Sequence, residues 1–224
     1  FIVSVSYIHL IPELLRYPEA FTGSDISEDP FGKSFLSRVA GEPRPIRQSR
    51  LRKIEEALKN AVPHLKGLTQ VKDEKGMPHL VATYDHWRPF GAKHTEEQFS
   101  DGTLRLIGLL WSLLESNSLL LLEEPELSLN SEIVRRIPGL MLRLQRKRGR
   151  QVIISTHSYD LLSDPGIGGE EVLLLKPEKE GTAVELASRK NEVRLLLESG
   201  LTVAEAALPY VAPENARQLD FFEA

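Results

Sequence analysis

The segment Ser118–Asn130, with the sequence SLLLLEEPELSLN, decides the fold. Its four consecutive leucines form an apolar run of strand length, which is typical of a parallel strand covered on both faces. The run ends in two adjacent carboxylates, Glu123 and Glu124, and Pro125 then interrupts the strand. Because ligands of open α/β sheets bind at the carboxyl ends of the strands, the sequence predicts a functional site at this point.

The elements on either side of this run fit an α/β domain. Upstream, Thr103–Glu115 is apolar nearly all round, which predicts a buried helix. Downstream, Ser131–Arg146 has an apolar stripe at helical spacing, and Pro138 within it should kink the helix or mark its start. Further strands are predicted at Phe1–Leu10 and Gln151–Ser155. We therefore expect an α/β fold with parallel core strands flanked by helices.

The remaining segments predict smaller elements. A helix within Ile46–Val62 and a hairpin formed by Leu65–Val71 and His79–Tyr84 predict a small α+β insert. A second hairpin is predicted from Glu171–Lys176 and Thr182–Leu186, and two short helices follow it. We expect four regions: an incomplete part of the core with a strand, a helix and an acidic loop, the insert, the main core, and C-terminal helices with a tail, at residues 1–40, 41–97, 98–188 and 189–224.

The composition excludes several classes of protein. Hydrophobic and charged fractions of 41% and 27% over 224 residues are ordinary globular values, and the absence of cysteine excludes disulfide scaffolds and thiolate zinc sites. A net charge of −4 gives no general attraction to nucleic acid. No apolar run approaches the roughly 18 residues that span a membrane. The lack of cysteine fits a cytoplasmic protein, which is the location we expect. The sequence begins with Phe1 inside a predicted strand, and we expect it to be part of a longer or split protein.

Glu123 and Glu124 can divide two tasks between them. Successive strand residues point to opposite faces, so the two carboxylates cannot do the same work. One can hold Mg²⁺, through water, and the other can orient or deprotonate an attacking water molecule. The alternative for this pair is a solvated end of a strand.

Two further patterns contribute to the same interpretation. His157 follows the strand at Gln151–Ser155, and if the two strands are neighbours it lies beside Glu124, where it can hydrogen-bond a γ-phosphate or the attacking water. Ser100-Asp101-Gly102 precedes a helix whose N-terminal amides form a natural anion site. Each pattern has a structural alternative, since His157 could be an ordinary loop histidine and Ser100 a helix cap.

Taken together, these patterns resemble the ATP-binding-cassette ATPase superfamily, and most closely its RecF-like and OLD-like branch. Phe99-Ser100-Asp101-Gly102-Thr103 resembles the signature motif, and Leu119–Glu124 resembles Walker B with Glu123 at the usual aspartate. Leu127-Ser128-Leu129-Asn130 is similar to the D-loop, with Asn130 at its usual aspartate, and His157 matches the switch histidine. The resemblance implies the C-terminal lobe of a P-loop NTPase fold.

The resemblance also implies a mechanism in which ATP and Mg²⁺ are sandwiched in a head-to-tail homodimer. Glu123 would assist Mg²⁺, Glu124 would act on the attacking water and His157 would sense the γ-phosphate. Ser100, Gly102 and Thr103 would act on the nucleotide of the other subunit, and Asn130 would contact the facing protomer. DNA, and a nuclease or other effector on another chain, are partners that the resemblance allows. We expect no membrane association, because no apolar run is long enough to span a bilayer.

The phosphate loop of this superfamily, G-x-x-x-x-G-K-[ST], has no match in the sequence. The nearest segment is Ser27–Ser34, SEDPFGKS, which has serine for the first glycine, two carboxylates facing the phosphates and a proline that lacks an amide donor. We therefore expect these 224 residues to bind ATP poorly without a phosphate loop from elsewhere.

Two functions stay open at this stage. The chain is either the lobe of an ATPase in DNA repair or defence against phage, or a non-hydrolysing regulatory or dimerisation module. A nuclease within the chain is excluded, because no Asp-x-Asp or similar acidic set follows His157. A basic cluster around the predicted helix could contact DNA phosphates or simply be a solvated helix face; it contains Arg135, Arg136, Arg143, Arg146, Lys147, Arg148 and Arg150.

Overall fold

The computed structural model describes residues 5–20, 29–85, 91–116 and 118–212. The helices in this part of the chain are α1 (Pro12–Arg16), α2 (Phe35–Gly41), α3 (Arg44–Leu58), α4 (Asp101–Glu115), α5 (Ser131–Val134), α6 (Ile137–Arg148), α7 (Tyr159–Leu162), α8 (Asn191–Glu198) and α9 (Val203–Val211). The strands are β1 (Val5–Ile8), β2 (Leu65–Lys72), β3 (Pro78–Tyr84), β4 (Ala92–Thr95), β5 (Leu119–Glu123), β6 (Val152–Ser155), β7 (Leu173–Glu178) and β8 (Gly181–Leu186).

The leucine run forms β5, the middle strand of a parallel sheet with the order β1-β5-β6. This arrangement confirms the predicted α/β class. Leu120 and Leu122 are buried, whereas Leu119 and Leu121 are only half-buried and Ile153 on β6 is 50% exposed. The prediction that both faces of the strand are covered therefore holds for one face only.

Helix α4 is the most deeply buried helix of the described chain, as its apolar sequence predicts. Trp111 at its centre has 0% exposure. The ring of Trp111 meets that of Phe35 edge to face, with 6.3 Å between centroids, and the guanidinium of Arg50 lies 5.2 Å from its centroid. These contacts join α4 to α2 and α3, and so connect the insert to the helix that begins at the signature segment.

The predicted insert is an antiparallel sheet with the order β2-β3-β4. The predicted hairpin is present, and β4, which the sequence analysis did not predict, pairs with β3. The register of β2 shifts between Lys66 and Thr69, where the Glu55 carboxylate on α3 accepts hydrogen bonds from the amides of Gly67 and Leu68 at 3.0 and 3.1 Å. A helix carboxylate therefore satisfies the backbone groups that this bulge removes from the ladder.

The described residues divide into two compact units. The first comprises the chain up to Ile133 and Met141–Thr156, and the second comprises Val134–Leu140 and the chain from His157 onward. The second unit contains the β7–β8 hairpin with α8 and α9, as predicted, around a core of buried residues that includes Leu174, Val193, Val203 and Ala206. Each unit therefore has its own apolar core.

The helix predicted at Ser131–Arg146 is two helices, because α5 ends at Val134 and α6 begins at Ile137. Pro138 lies in the first turn of α6, where its missing amide proton costs no intrahelical hydrogen bond. Of the two roles predicted for Pro138, the structure shows the start of a helix.

Arg150 corrects the basic cluster proposed from sequence. Its side chain is 4% exposed, and it donates hydrogen bonds to the carbonyl oxygens of Ser112 and Ser118 and to Ser116 Oγ. The guanidinium thus ties the C-terminal end of α4 to the start of β5. Arg150 is a structural residue of the core and is not available to DNA.

We predict that Arg150→Met lowers the free energy of unfolding by about 2–4 kcal/mol, because carbonyl groups inside the protein lose their donor. Urea unfolding of the purified chain measures this loss. The matched control is Arg146→Met on the exposed side of α6, which should change the free energy of unfolding by less than about 0.5 kcal/mol. Equal effects of the two substitutions would show that the buried hydrogen bonds contribute nothing.

A histidine–carboxylate pair fixes the segment that leads into α4. His79 Nδ1 lies 2.6 Å from Oε1 of Glu96, which is 1% exposed, and the other Glu96 oxygen accepts a hydrogen bond from the Leu80 amide at 2.8 Å. The hydrogen bond to Glu96 is the main reason that the pKa of His79 is raised above its usual 6.5. Folding therefore stabilises the charged, protonated form of the His79 side chain.

We predict a pH-dependent contribution of His79 to stability. Because its pKa is raised by folding, its contribution is fully present below pH 6.5 and is lost as the pH rises through the higher folded pKa. The destabilisation caused by His79→Gln should consequently be larger at pH 5.5 than at pH 9 in urea unfolding experiments. Exposed His64→Gln serves as the control, and a pH-independent effect of His79→Gln would contradict the prediction.

Candidate functional site

The two predicted carboxylates lie where β5 ends. Glu123 is opposite Ser155 in the register with β6, and the Glu124 amide donates a hydrogen bond to the Ser155 carbonyl oxygen at 2.9 Å. Glu124 then adopts φ +41°, in the left-handed region that a residue with a side chain seldom occupies. The chain therefore turns sharply between the two carboxylates, and such strained positions cluster at functional sites.

Tyr7 is a residue of this site that the sequence analysis missed. It lies on β1, and its hydroxyl donates a hydrogen bond to the Glu123 carboxylate. This bond is the main cause that raises the pKa of Tyr7 above 10. The Glu123 side chain is thus held by a neighbouring strand, and the parallel pairing of β1 with β5 is the condition for that contact.

The signature segment forms the N-terminus of α4. Ser100 is the N-cap, and its Oγ accepts a hydrogen bond from the Thr103 amide at 3.2 Å and lies 2.8 Å from Thr103 Oγ1. This geometry is the capping alternative that the sequence left open. Ser100 itself is exposed, so capping does not bury the residue away from a ligand.

Gly102 lies against the predicted D-loop of the same chain. A Cβ atom at this position would be 2.6 Å from the Ser128 carbonyl oxygen, which is too close for any residue but glycine. Ser128 itself has φ +62°. The signature glycine and the loop after β5 therefore pack backbone to backbone, a contact that the sequence pattern did not reveal.

Two arginines surround the first turn of α4. Arg16 on α1 donates hydrogen bonds to Asp101 Oδ1 at 2.5 Å and to the Phe99 carbonyl oxygen at 2.7 Å. Arg105, one turn along α4, interacts electrostatically with Asp101, Glu13 and Glu124, and burial lowers its pKa. Arg16 and Arg105 thus both interact with Asp101 in the first turn of α4. Arg105 also places a positive charge near Glu124.

Asn130 and His157, the two remaining predicted site residues, lie in different local surroundings. Asn130 Oδ1 accepts a hydrogen bond from the Glu132 amide at 2.9 Å and so caps α5. His157 is exposed and is the first residue of the second unit. The expected proximity of His157 to Glu124 stays a prediction. Directly before it, the Thr156 hydroxyl donates a hydrogen bond to Glu126 Oε1.

The nearest sequence to a phosphate loop has a different structure in its described part. Ser27 and Glu28 lie outside the described residues. Asp29 Oδ2 accepts hydrogen bonds from the Ser34 amide at 2.9 Å and from Ser34 Oγ at 2.6 Å. The Asp29 carboxylate therefore already accepts the hydrogen bond of the Ser34 amide, which a phosphate loop would offer to a phosphate. This agrees with the prediction that the segment is not a phosphate loop.

Comparison with known proteins identifies the family. The family model described as "AAA domain, putative AbiEii toxin, Type IV TA system" matches residues 5–164, well over half of the chain. The chain belongs to this family. No curated protein matches the sequence.

Solved structures of SMC proteins are similar to this chain at low sequence identity. A structure from work on ATP-driven dimerization and DNA-stimulated activation of SMC ATPases aligns with a TM-score of 0.50 and 14% identity, over 70% of this chain and 93% of that one. Smc head domains from Pyrococcus yayanosii and Pyrococcus furiosus, the latter bound to the C-terminal domain of ScpA, align at 14% identity with TM-scores of 0.48 and 0.49. Both alignments cover 68% of this chain, but only 29% and 38% of those longer chains.

The family and the fold together confirm the predicted superfamily, that of P-loop NTPases of the ATP-binding-cassette type. Within the described ranges, the helices include none with the length and apolarity needed to cross a membrane. Among the same residues, no group of three or more His, Asp or Glu side chains is arranged to hold a metal ion.

We predict that Gly102→Ala destabilises the chain by about 1–3 kcal/mol, because the added methyl group must displace the backbone of Ser128. Gly41→Ala in α2 is the matched control, since no atom lies within 4 Å of its added Cβ. That substitution should be neutral or stabilising by up to about 1 kcal/mol, as expected for alanine in a helix. Urea unfolding of both variants checks the difference, and a stable Gly102→Ala protein would contradict the close packing.

Proposed function

We propose that this chain is the part of an ATP-hydrolysing enzyme that activates water and closes over a partner's nucleotide. The observation that carries the proposal is the pair Glu123 and Glu124 at the carboxyl end of the central parallel strand, with a sharp backbone turn between them. Ligands of open α/β sheets bind at this edge. Membership of an AAA domain family and the shared SMC fold support the same reading.

Glu123 is the residue proposed to assist Mg²⁺. A carboxylate at the end of β5 provides the hard oxygen that this cation prefers, and Tyr7 holds it in place by donating a hydrogen bond. A single protein carboxylate suffices, because Mg²⁺ keeps several waters and takes its other ligands from phosphate oxygens. When bound, the cation neutralises charge that develops on the phosphates. The donor set therefore fits an ion held jointly with a nucleotide.

Glu124 is the proposed general base. The hydrogen bond of its amide to Ser155 and its left-handed backbone fix where the side chain leaves the strand. In this position Glu124 would accept a proton from the attacking water, with His157 as the proposed contact to the γ-phosphate. Arg105 is close enough to interact electrostatically with Glu124, and so places a positive charge near the proposed base.

The N-terminus of α4 is proposed to act on the second subunit's nucleotide. Ser100, Gly102 and Thr103 form a helix N-terminus with exposed Ser100 at its tip, which suits a phosphate group. Asn130, at the start of α5, is proposed to contact the facing protomer in a head-to-tail homodimer. Residues 98–188 would form the ATPase core in this assembly, and residues 41–97 the insert.

The phosphate loop must come from outside these 224 residues, because the sequence contains no match to it. This same observation favours a second candidate, a regulatory or dimerisation module that does not hydrolyse ATP. The complete pair of carboxylates and the ordered turn at Glu124 favour the enzyme, since a module without chemistry has no use for a strained glutamate at this edge.

We place the proposed ATPase in the RecF-like and OLD-like branch and in defence against phage. The family description names a toxin of a toxin–antitoxin system, and this favours defence over DNA repair. DNA, or a nuclease or other effector on another chain, would be the responding partner. Exposed Arg143, Arg146 and Lys147 on α6 offer a surface for phosphates.

We predict that Glu124→Gln lowers kcat for ATP hydrolysis about 10²–10³-fold while ATP binding is kept, because the amide cannot accept a proton from water. The product of the complete reading frame is assayed alongside the 224-residue chain. Phosphate release measures hydrolysis, and equilibrium binding of a fluorescent ATP analogue measures affinity.

Glu178→Gln is the control, since it makes the same chemical change on the exposed hairpin of the second unit. A normal hydrolysis rate for Glu124→Gln would exclude Glu124 as the base. A complete protein that dimerises but never hydrolyses ATP would favour the regulatory module instead.

A further inference from the structure

Glu126 is a buried carboxylate with an incomplete set of partners. It is 8% exposed, and its Oε1 accepts a hydrogen bond from the Thr156 hydroxyl. Its Oε2 is buried and has no hydrogen-bond partner among the described residues. Within the same residues, no cation forms an ion pair with it.

Such an arrangement is unfavourable for folding alone. A carboxylate removed from water loses much of its hydration free energy, and one hydroxyl donor replaces only part of it. An apolar side chain of the same size would be accommodated more easily at this position. The hydrogen bond that this carboxylate accepts from Thr156 therefore points to a function.

Thr156, the hydrogen-bond partner of Glu126, connects it to the two segments proposed to act in hydrolysis, the turn at Glu124 and the residue His157. Thr156 follows Ser155, whose carbonyl oxygen accepts the hydrogen bond from the Glu124 amide. Thr156 also directly precedes His157 in the chain. The turn after β5 and the end of β6 are thus joined twice, once by Glu124 with Ser155 and once by Glu126 with Thr156.

The loop that carries Glu126 is itself fixed. The Leu127 amide donates to the Glu124 carbonyl oxygen at 3.2 Å, and the Leu129 amide donates to the Glu126 carbonyl oxygen at 3.0 Å. The Glu126 carboxylate therefore extends from a backbone with little freedom. No flexible segment separates this hydrogen bond from the turn at Glu124. A displacement of Thr156 would therefore also displace the turn.

We propose that Glu126 is a positioning residue, which holds Thr156 so that the Glu124 turn and the backbone that leads into His157 keep one geometry. The inference rests on the proposed function, because it assigns no chemistry to Glu126 itself. Glu126 acts through Thr156, whose hydroxyl donates a hydrogen bond to it. A small displacement of a catalytic base lowers the rate strongly, so the effect of losing the bond appears in kcat.

The test compares Thr156→Val, Thr156→Ser, Glu126→Ala and the double variant Glu126→Ala/Thr156→Val. Valine has the shape of threonine without its hydroxyl, whereas serine retains the hydroxyl. In the full-length protein, Thr156→Val should lower kcat for ATP about 10-fold and leave KM within about two-fold, and Thr156→Ser should restore kcat. The double variant should lose no more than the worse single variant, since both changes remove one interaction.

A second measurement needs no nucleotide. Amide hydrogen exchange of the chain should show faster exchange at Glu124 in Thr156→Val, because the turn loosens, and unchanged protection at Leu120 and Leu122 inside the sheet. Unchanged exchange at Glu124, or additive losses in the double variant, would overturn the proposal.

The two hypotheses fail in different ways. If Glu124→Gln is inactive but Thr156→Val has the normal kcat, Glu126 has no positioning role and the proposed ATPase function stands. If Glu124→Gln is fully active, the proposed function fails, whereas faster exchange at Glu124 in Thr156→Val would still show that the hydrogen bond holds the turn.

Discussion

The parallel pairing of β5 with β1 on one side and β6 on the other is the constraint on which the candidate site depends. Pairing with β1 brings Tyr7 to Glu123, and pairing with β6 brings Ser155 to the Glu124 amide. A shift of β1 by one residue would turn its side chains to the opposite face and remove the Tyr7 contact, and a shift of β6 would take the Ser155 carbonyl oxygen away from the Glu124 amide. The positions of the two carboxylates are therefore a property of the sheet rather than of the local sequence.

Structural and functional roles coincide at the first turn of α4. Ser100 caps the helix, and Gly102 is required by its contact with Ser128, so both residues would be needed in a protein with no nucleotide chemistry. That does not weaken the proposed role, since an anion site at a helix N-terminus depends on the same ordered amides. It does mean that loss of activity in a Gly102 variant is informative only when its stability is measured as well.

The sequence predicted those features that depend on short-range pattern. The apolar run of β5, the buried α4, both hairpins and the break at Pro138 follow from spacing and from the restricted backbone of proline. Strand β4, with the sequence AKHT, carries no apolar alternation and exists because β3 offers it an edge. Its assignment depends on a tertiary neighbour that no local pattern encodes.

Side-chain partners distant in sequence were the least predictable part of the site. The sequence pattern groups Arg150 with a series of basic residues, yet its side chain is turned inward, where the carbonyl groups of Ser112 and Ser118 accept its hydrogen bonds. Tyr7 and Glu126 were missed for the same reason, since each acts on a residue of another strand or loop. Residue type and spacing identify the carboxylates, but only the packed structure shows what holds them.

The charges around Arg105 bear on the phosphate loop that the proposed function requires. Arg105 interacts with three carboxylates, those of Glu13, Asp101 and Glu124, and the Asp101 carboxylate is shared with Arg16. A triphosphate brought near Glu124 would be repelled by its carboxylate, by about 3 kcal/mol for two unit charges 5 Å apart at an effective dielectric constant of 20. In the proposed function, Mg²⁺ and the lysine and amides of a phosphate loop would supply positive charge against this repulsion. The proposed ATPase would thus divide its charges between the water-activating acids and the phosphate-binding cations.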